Sequence, residues 1–276
     1  IYGNTNSKDF LTKNYININI NSLKSKFTSS TIEYCNNFIK CSKKINYDII
    51  EIHNRPLVYT HLKNKIDAKF ILYFHNDPLS MSGSKTVKER IDLINSIEKI
   101  IFVSKWVQKR FFQNIDDKLI NKTEIVYPSI HKSKKIYKKK KIIVFVGKLN
   151  HSKGYDIYKD AIIKVLDEFN DWKAYSIGDE RRERPHINHK RHFELGFIKH
   201  SKVLSYLNSS EIAVVPSRWE EPFGRTALES SSRANATIIS NRGGLPETTD
   251  YCLTLKKLDY RELYKQIKTL ILNPKF

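Results

Sequence analysis

Apolar residues along the chain fall into short continuous runs that alternate with longer amphipathic stretches. Most of the short runs are rich in Ile and Val and do not place a polar residue at every second position. Such runs are typical of strands that are buried on both faces of a parallel sheet. The predicted strands cover residues 47–53, 69–75, 99–104, 123–128, 141–147, 173–178, 192–197, 211–216, 236–240 and 251–255.

The stretches between these runs have the periodicity of helices. Residues 104–113 and 153–170 are examples, and the apolar residues from Ile157 to Phe169 are spaced so that they share one face. A third helix is expected over residues 225–235, with Asn235 at its carboxyl end because Asn tolerates the left-handed conformation. Alternation of strand and helix predicts an α/β fold with parallel sheets and right-handed crossovers.

One Lys-rich segment interrupts this alternation. Pro128 ends a strand, and the polar run that follows, residues 128–141, leads into the next strand. We interpret it as a linker between two α/β domains, over residues 1–130 and 139–276; the alternative is an exposed charged loop inside one domain. Ligands of such sheets bind at the carboxyl ends of the strands, so motifs at those ends carry the functional argument.

The net charge limits the classes of partner. The 276 residues include 49 basic and 29 acidic side chains, which gives a formal net charge of +20. This excess favours anionic partners such as nucleotides, phosphorylated sugars, nucleic acid or an anionic membrane surface. A general compositional bias toward Lys, Asn and Ile explains it equally well. The aromatic residues lie mainly within apolar runs rather than among exposed basic residues, so no nucleic-acid partner is expected.

The three cysteines and the hydropathy pattern suggest a cytoplasmic setting. Cys35, Cys41 and Cys252 have no paired spacing, which favours a reducing compartment without disulfides. No apolar run is long enough to cross a bilayer, and no signal peptide is visible. Three closely spaced histidines in HINHKRH, residues 186–192, could suggest zinc, but no cysteine lies near them and we expect no metal site.

The stretch VFVGKLNHSKGYD is the first motif at a strand end. Lys148 and Lys153 lie on a loop between a predicted strand and a helix start, where two ammonium groups could hold a diphosphate. The alternative is a solvated pair of lysines in a Lys-rich protein. The loop lacks the glycine and lysine spacing of a P-loop, which argues against a P-loop NTPase.

The second motif follows the strand at 211–216. Glu221 lies in a polar loop, Pro222, Phe223 and Gly224 lead into a helix, and Glu229 follows within it. The N–H groups at the helix start can bind an oxyanion, whereas the two carboxylates suit the hydroxyls of sugar rings. The alternatives are that Glu221 favours the helix start electrostatically and that Glu229 is a surface residue.

These motifs together resemble a known family. Two glutamates with seven residues between them after a strand, followed by a strand and NRGGLPE (241–247), resemble the retaining nucleotide-sugar glycosyltransferases of family 4. The resemblance extends from about residue 47 to 272 and implies a GT-B fold, with two Rossmann-like domains and a site in the cleft between them. It also implies that the chain is truncated at both ends, with an incomplete, acceptor-side N-terminal domain and a C-terminal nucleotide-sugar-binding domain.

The resemblance implies a role for each motif residue. Lys148 and Lys153 would bind the donor diphosphate, and Glu229 the ribose hydroxyls. Glu221 would contact the transferred sugar, helped by the backbone N–H groups of Phe223 and Gly224. The strand end at Ile198 would border the base, and Gly243, Gly244 and Glu247 match a loop of the family whose role the sequence leaves open.

Two histidines stand at strand ends in the first half of the chain, in EIHNRP and YFHNDP. His75 matches the active-site histidine of the family, which faces the donor sugar, and His53 lies at the neighbouring strand end. The alternative for each is a hydrogen-bonded structural histidine.

The implied reaction is the attack of an acceptor hydroxyl on the anomeric carbon of a nucleoside-diphosphate sugar, with retention of configuration and without a metal or other cofactor. A UDP-sugar is expected ahead of a GDP- or ADP-sugar. The acceptor would be a glycan or a lipid-linked glycan, as in lipopolysaccharide or cell-surface polysaccharide synthesis. The enzyme would then work peripherally at the cytoplasmic face of the inner membrane. The alternatives are an inactive fragment that only binds nucleotide and a GT-B relative such as a sugar epimerase.

Overall fold

The computed structural model describes residues 1–4, 14–18, 20, 29–43, 45–131, 137–180, 182–183 and 186–273. The chain forms two compact units. The first consists of Ile1–Val103 and Val107–Val126, and the second of Ser104–Trp106 and Tyr127–Phe276. Residues 132–136 of the predicted linker lie outside the described part of the chain.

A four-stranded parallel sheet is the centre of the first unit. Two short strands, β1 (Tyr2–Gly3) and β2 (Ile16–Asn17), pair separately. The sheet has the order β3 (Ile49–His53), β4 (Lys69–Phe74), β5 (Lys99–Phe102) and β6 (Thr123–Ile125). The helices are α1 (Ser30–Ser42), α2 (Pro56–Leu62), α3 (Val87–Ser96) and α4 (Lys105–Phe111).

Local sequence signals set the starts of these helices. Pro56 occupies the first turn of α2, where its missing N–H costs nothing. Thr86 and Glu89 form a reciprocal capping box at the start of α3. The strands between them bury Leu72, Phe74 and Ile100 on one face of the sheet, whereas the alternate residues are half-buried or exposed, so the predicted burial of both faces is wrong for this sheet.

The second unit contains a six-stranded parallel sheet. Its strands are β7 (Lys140–Val146), β8 (Lys173–Ile177), β9 (His192–Glu194), β10 (Ser210–Val215), β11 (Ala236–Ile239) and β12 (Cys252–Thr254), in the order β12-β11-β10-β7-β8-β9. The helices are α5 (Tyr155–Glu168), α6 (His200–Ser209), α7 (Arg225–Ser231) and α8 (Tyr260–Leu272).

Apolar layers cover both faces of this sheet. Alternate residues of the central strands, such as Ile143 and Val214, pack with the buried stripe of α5 and with α8. Their neighbours Val144 and Ala213 belong to a second cluster that includes Leu207 of α6. Burial of a large aliphatic side chain contributes about 1.5–3 kcal/mol, so these layers hold the strand ends at fixed positions.

Several predicted elements end earlier than expected, among them the strand predicted over 123–128, which ends at Ile125, and the helix predicted over 104–113, which ends at Phe111. The strand predicted over residues 192–197 stops at Glu194, because Gly196 takes a left-handed φ of 65° and turns the chain. The helix predicted over 225–235 stops at Ser231. The residue with a left-handed conformation after this helix is Ala234, with a φ of 55°. The prediction of that conformation for Asn235 is therefore wrong. Asn235 is instead buried, and its side-chain amide donates to the carbonyls of Leu207 and Ser210.

Candidate active site

The loop at the carboxyl end of β7, residues 147–154, is called the glycine loop here. Lys148 is exposed at the start of the loop. The side chain of Asn150 accepts a hydrogen bond from the backbone N–H of Lys153 at 3.1 Å and so caps the short 3-10 turn His151–Lys153. Gly154 has a φ of 71°, and a Cβ atom at this position would lie 1.9 Å from the carbonyl oxygen of Pro216. Only glycine lets the start of α5 approach the residue after β10 so closely.

An ion pair joins this loop to the loop after β10, residues 217–224, called the glutamate loop. Nζ of Lys153 lies 2.5 Å from Oε1 of Glu221, and their side chains are 29% and 14% exposed. The two residues are 68 positions apart in sequence. The structure therefore brings together a cation that is predicted to bind phosphate and a carboxylate that is predicted to bind a sugar.

A second ion pair fixes the glutamate loop in place. Arg218 makes a two-pronged contact with Asp156 at the start of α5, with Nη2 to Oδ2 at 2.8 Å. Burial alone would raise the pKa of Asp156, but the bonds and the charge of Arg218 outweigh it and hold the pKa below its ordinary value. The backbone N–H groups of Arg218 and Trp219 also donate to the carbonyl of Ser152. The Lys153–Glu221 ion pair and the bonds to Ser152 thus hold the two loops together, and the Arg218–Asp156 pair holds the glutamate loop to the start of α5.

The NRGGLPE segment forms hydrogen bonds with Glu220 and Glu221 of the glutamate loop. The N–H of Gly244 donates to the carbonyl of Glu221 at 2.6 Å, and the N–H of Gly243 donates to the carboxylate of Glu220 at 2.6 Å. A Cβ atom on Gly243, which has a φ of 60°, would lie 2.2 Å from the Glu221 carbonyl oxygen. The sequence left the role of this segment open, and the structure shows that it positions the glutamate loop. Glu247, at its end, accepts a hydrogen bond from the Tyr127 hydroxyl at 3.0 Å.

The start of α7 presents backbone N–H groups at the end of the same loop. Phe223 is buried against Tyr127, with ring centroids 5.9 Å apart, and Gly224 has a φ of 116°. Within the described part of the chain, nothing accepts a hydrogen bond from the N–H of Phe223 or Gly224. Both groups are therefore free to donate to a bound oxyanion.

Glu229 is a buried carboxylate, so the alternative that it is a surface residue is wrong. It is 6% exposed and lies on α7. Its Oε1 lies 2.9 Å from Nε2 of His200 and 3.4 Å from Nη2 of Arg225. His200, the first residue of α6, was missed by the sequence reasoning. No local signal marks His200, because it is 29 residues from Glu229 in sequence. The two side chains come into contact only because of the order of the strands in the sheet.

The predicted base-binding position lies in the turn between β9 and α6. Ile198 is half-buried and packs with the second apolar cluster of the sheet. Its neighbour Phe197 is 90% exposed, which is unusual for so large an apolar side chain. The turn therefore offers an exposed aromatic face next to the predicted residue.

The two candidate histidines of the first unit meet at the carboxyl ends of β3 and β4. Nδ1 of His53 lies 2.7 Å from Nε2 of His75. Burial, and then the nearby His53, lower the pKa of His75.

The three histidines of HINHKRH face separate partners. His186 lies near Glu194, His189 near Asp167, and His192 bonds the hydroxyl of Ser176. Across the described ranges, no three or more His, Cys, Asp or Glu side chains are placed to hold a metal ion.

Comparison with known families and proteins is consistent with this geometry. The family model "Glycosyl transferases group 1" matches residues 126–275, which is more than half of the chain. Spore coat protein SA of Bacillus subtilis is 26% identical over 241 residues, covering 75% of this chain and 63% of that protein. The lipopolysaccharide core biosynthesis mannosyltransferase LpsB of Rhizobium meliloti is 26% identical over 120 residues, or 39% and 33% of the two chains. The chain spans 59–63% of the length of the first three curated relatives that match it.

Solved structures share the fold at low sequence identity. Sucrose-phosphate synthase from Thermosynechococcus elongatus gives a TM-score of 0.72 at 15% identity, covering 99% of this chain and 78% of that one. HepE of Anabaena, in complex with UDP-glucose, gives 0.70 at 16% identity, with 95% and 77% covered. These likenesses confirm the predicted α/β fold of GT-B type.

Proposed function

The chain belongs to the Glycosyl transferases group 1 family, and from this premise we propose that it transfers a sugar from a nucleoside-diphosphate sugar to a hydroxyl of a glycan or lipid-linked acceptor. One observation supports this most directly: the ion pair between Lys153 and Glu221 at the carboxyl end of the sheet. In this proposal Lys153 binds a phosphate and Glu221 binds the sugar, so their contact supports a ligand in which a sugar is joined to a diphosphate.

The diphosphate would be held by the glycine loop and by the start of α7. Lys148 and Lys153 supply positive charge, and the free N–H groups of Phe223 and Gly224 supply donors. A diphosphate competes with Glu221 for the ammonium of Lys153, because it carries more negative charge. Donor binding then releases the Glu221 carboxylate, which accepts hydrogen bonds from the sugar hydroxyls.

The nucleoside would lie against the turn before α6. Glu229 is buried and already held by two cationic or donor groups, so its second oxygen can accept from vicinal ribose hydroxyls. Ile198 and the exposed ring of Phe197 would border the base. UDP is the preferred nucleotide in this proposal, and HepE, which shares the fold, has been solved with UDP-glucose.

In the reaction, the acceptor oxygen forms a bond to the anomeric carbon while the bond from that carbon to the phosphate oxygen breaks. The pair of electrons leaves with the nucleoside diphosphate, whose departing phosphate oxygen takes the proton of the acceptor hydroxyl, and the configuration at the anomeric carbon is retained. Preorganised charge that faces the leaving group is usually the largest catalytic contribution. Lys148, Lys153 and the N–H groups supply this charge, so the proposal uses no metal and no further cofactor. A role of His75 in the reaction stays a prediction of the sequence.

The acceptor is proposed to be a surface glycan or its lipid-linked precursor. Two observations support this: the net charge of +20 and the similarity to LpsB, whose name places it in lipopolysaccharide core biosynthesis. No helix among the described residues is long and apolar enough to cross a bilayer. From the net charge we propose peripheral contact with an anionic membrane, at the cytoplasmic face. There are two alternatives. The protein binds nucleotide without turnover, or it is a sugar epimerase of the same fold.

Calorimetric titration of UDP, GDP, ADP and CMP tests the donor site. We expect one nucleoside diphosphate to bind and Glu229→Ala to weaken it about 10-fold to 100-fold, the loss of one or two hydrogen bonds to a carboxylate. Glu211→Ala is the matched control, since Glu211 is a half-buried carboxylate near the opposite end of the same sheet. Failure of all four nucleotides to bind the folded full-length protein would contradict the proposal.

The stereochemistry needs a separate measurement. With the nucleotide identified, the product of sugar transfer or of slow donor hydrolysis is followed by proton NMR. Retention predicts that the first anomer to appear has the configuration of the donor. Appearance of the opposite anomer would exclude a retaining mechanism while leaving the donor site intact.

A further inference from the structure

A cavity lies at the amino ends of the strands of the second unit, at the edge of the sheet opposite the candidate active site. Its volume is about 780 Å³, and its wall is formed by the first residues of β10, β11 and β12, by Lys139 just before β7, and by the carboxyl ends of α7 and α8. Pockets that bind small molecules usually measure about 300–1,000 Å³. The cavity therefore has room for a small organic ligand, and none of the candidate active-site residues lines it.

Lys139 places an unused hydrogen-bond donor in the wall of this cavity. Its Nζ donates to the carbonyl of Leu207, in the last turn of α6, at 3.1 Å and to that of Arg233, after α7, at 2.7 Å. An ammonium has three N–H groups, and the third has no acceptor among the described residues. Burial, with a smaller contribution from the charge of Arg233, lowers the pKa of Lys139 to about 8, although Glu211 opposes the shift.

Two further residues of the wall have acceptors without donors. Glu211 is half-buried at the start of β10, its side chain makes no hydrogen bond or ion pair with a described residue, and burial raises its pKa. Asn235 is 5% exposed, and its amide nitrogen donates to two carbonyls. The Oδ1 of Asn235, however, has no donor in the described ranges. Buried polar atoms are rarely left without partners, so a ligand that supplies donors is favoured here.

An aromatic ring stands beside these polar groups. Tyr251, directly before β12, lines the cavity and is 87% exposed. Its ring offers an apolar face, and its hydroxyl offers a polar tip. Binding pockets commonly combine such a face with a small number of polar groups that orient the ligand.

The charges of the wall select the class of ligand. A multiply charged anion would be repelled by the carboxylates of Glu211 and Asp250, and an organic cation by the ammonium of Lys139. A sugar hydroxyl is neutral, and it both donates and accepts. It can therefore accept from Lys139 and donate to Glu211 or Asn235, while the C–H groups of the sugar ring pack against Tyr251.

We propose that this cavity is a second carbohydrate-binding site, which takes a neutral sugar ring of a glycan at the end of the sheet opposite the donor site. The inference goes beyond the proposed function and does not rest on it, since every residue that supports it lies at the amino ends of the strands of one unit. A glycan that is held there between transfers would stay at a high effective concentration near the enzyme.

Saturation-transfer NMR titrations of the full-length protein test the site. The neutral probes are the methyl glycosides of glucose, mannose and galactose and the disaccharides maltose, cellobiose and lactose, and glucosamine is the charged comparison. We expect at least one neutral probe to bind. Its affinity should be unchanged when the nucleotide that binds in calorimetry is added, because the two sites lie at opposite ends of the sheet.

Two variants locate the bound sugar. Glu211→Ala and Tyr251→Ala should each weaken sugar binding about 10-fold, as the loss of one hydrogen bond or one aromatic contact implies. Both are expected to fold, because Glu211 has no partner to lose and Tyr251 is exposed. Tyr137→Ala is the matched control: this tyrosine of the same unit is 43% exposed and does not line the cavity, so the variant should bind sugar as the wild type does.

Three results would overturn the inference. The first is the failure of every neutral probe to bind the folded protein. The second is an equal affinity of the wild type, Glu211→Ala and Tyr251→Ala, which would place the sugar elsewhere. The third is binding of glucosamine alone, which would exclude a neutral ligand. If no nucleotide binds in calorimetry, the proposed function fails, whereas the sugar titrations still decide this inference.

Discussion

At the scale of single residues, burial gives groups of the same type different properties. His192 is 8% exposed, and its Nε2 lies 2.8 Å from the Ser176 hydroxyl, which also accepts from Tyr155. Burial lowers the pKa of His192 to about 4, from an ordinary value of 6.5. His186, six positions earlier, has a side chain that is 73% exposed. The sequence alone cannot distinguish the two.

This difference predicts a pH-dependent stability. Between pH 6.5 and 4 the unfolded chain binds a proton at His192 and the folded chain does not. The free energy of unfolding therefore decreases by ~3 kcal/mol when the pH is lowered from 6.5 to 4. Urea unfolding at a series of pH values measures the slope. His192→Gln should reduce the slope and His186→Gln should not. Equal slopes in the wild type and His192→Gln would contradict the assignment.

At the scale of elements, the site depends on loops that approach each other closely. The glycine loop and the glutamate loop follow adjacent strands, β7 and β10, and meet where Gly154 lies against Pro216. Glycine is needed there for two reasons, its left-handed φ and the space that a Cβ atom would fill. The ion pair of Lys153 with Glu221 depends on this approach.

A pair of glycine variants separates the two reasons. Gly154→Ala combines a φ of 71° with a contact of 1.9 Å, whereas Gly196→Ala has a φ of 65° and nothing within 4 Å. The conformation alone costs about 1–2 kcal/mol. We therefore expect Gly196→Ala to lose about that much stability in urea unfolding. Gly154→Ala should lose clearly more, and it should also weaken nucleotide binding. Equal losses would show that the loops do not need their close approach.

At the scale of the whole molecule, charge is the dominant property. The excess of 20 positive charges is spread over a chain of 276 residues. Basic residues near an anionic bilayer gain about 1 kcal/mol each, and the attraction weakens within a Debye length as salt rises. A peripheral enzyme that acts on lipid-linked acceptors would gain local substrate concentration from such contact.

Vesicle sedimentation tests this contact. The full-length protein should bind phosphatidylglycerol vesicles at low salt, dissociate as the salt approaches about 0.5 M, and ignore phosphatidylcholine vesicles throughout. Equal binding to both lipids would point to apolar rather than electrostatic attachment. Absence of binding to the anionic vesicles at physiological salt would contradict membrane contact, without bearing on the donor site.

The sequence by itself determined the fold class and the places where chemistry can occur. Continuous apolar runs predict buried parallel strands because each run is local and its burial on both faces removes polar alternation. The motif residues were therefore expected near strand ends. Lys148, Lys153 and Glu221 lie in the loops after β7 and β10, and Glu229 lies on α7, the helix that follows the second loop. The exact ends of β9 and α7 were missed, since single turns at Gly196 and Ala234 decide them.

Only the tertiary structure decided which side chains meet. Strand order and register bring together Lys153 with Glu221, His200 with Glu229, and His53 with His75. These contacts join residues that are 22 to 68 positions apart, and nothing in the local sequence encodes them. A parallel sheet converts separation along the chain into adjacency at one edge, and the core that fixes its register thereby fixes the site.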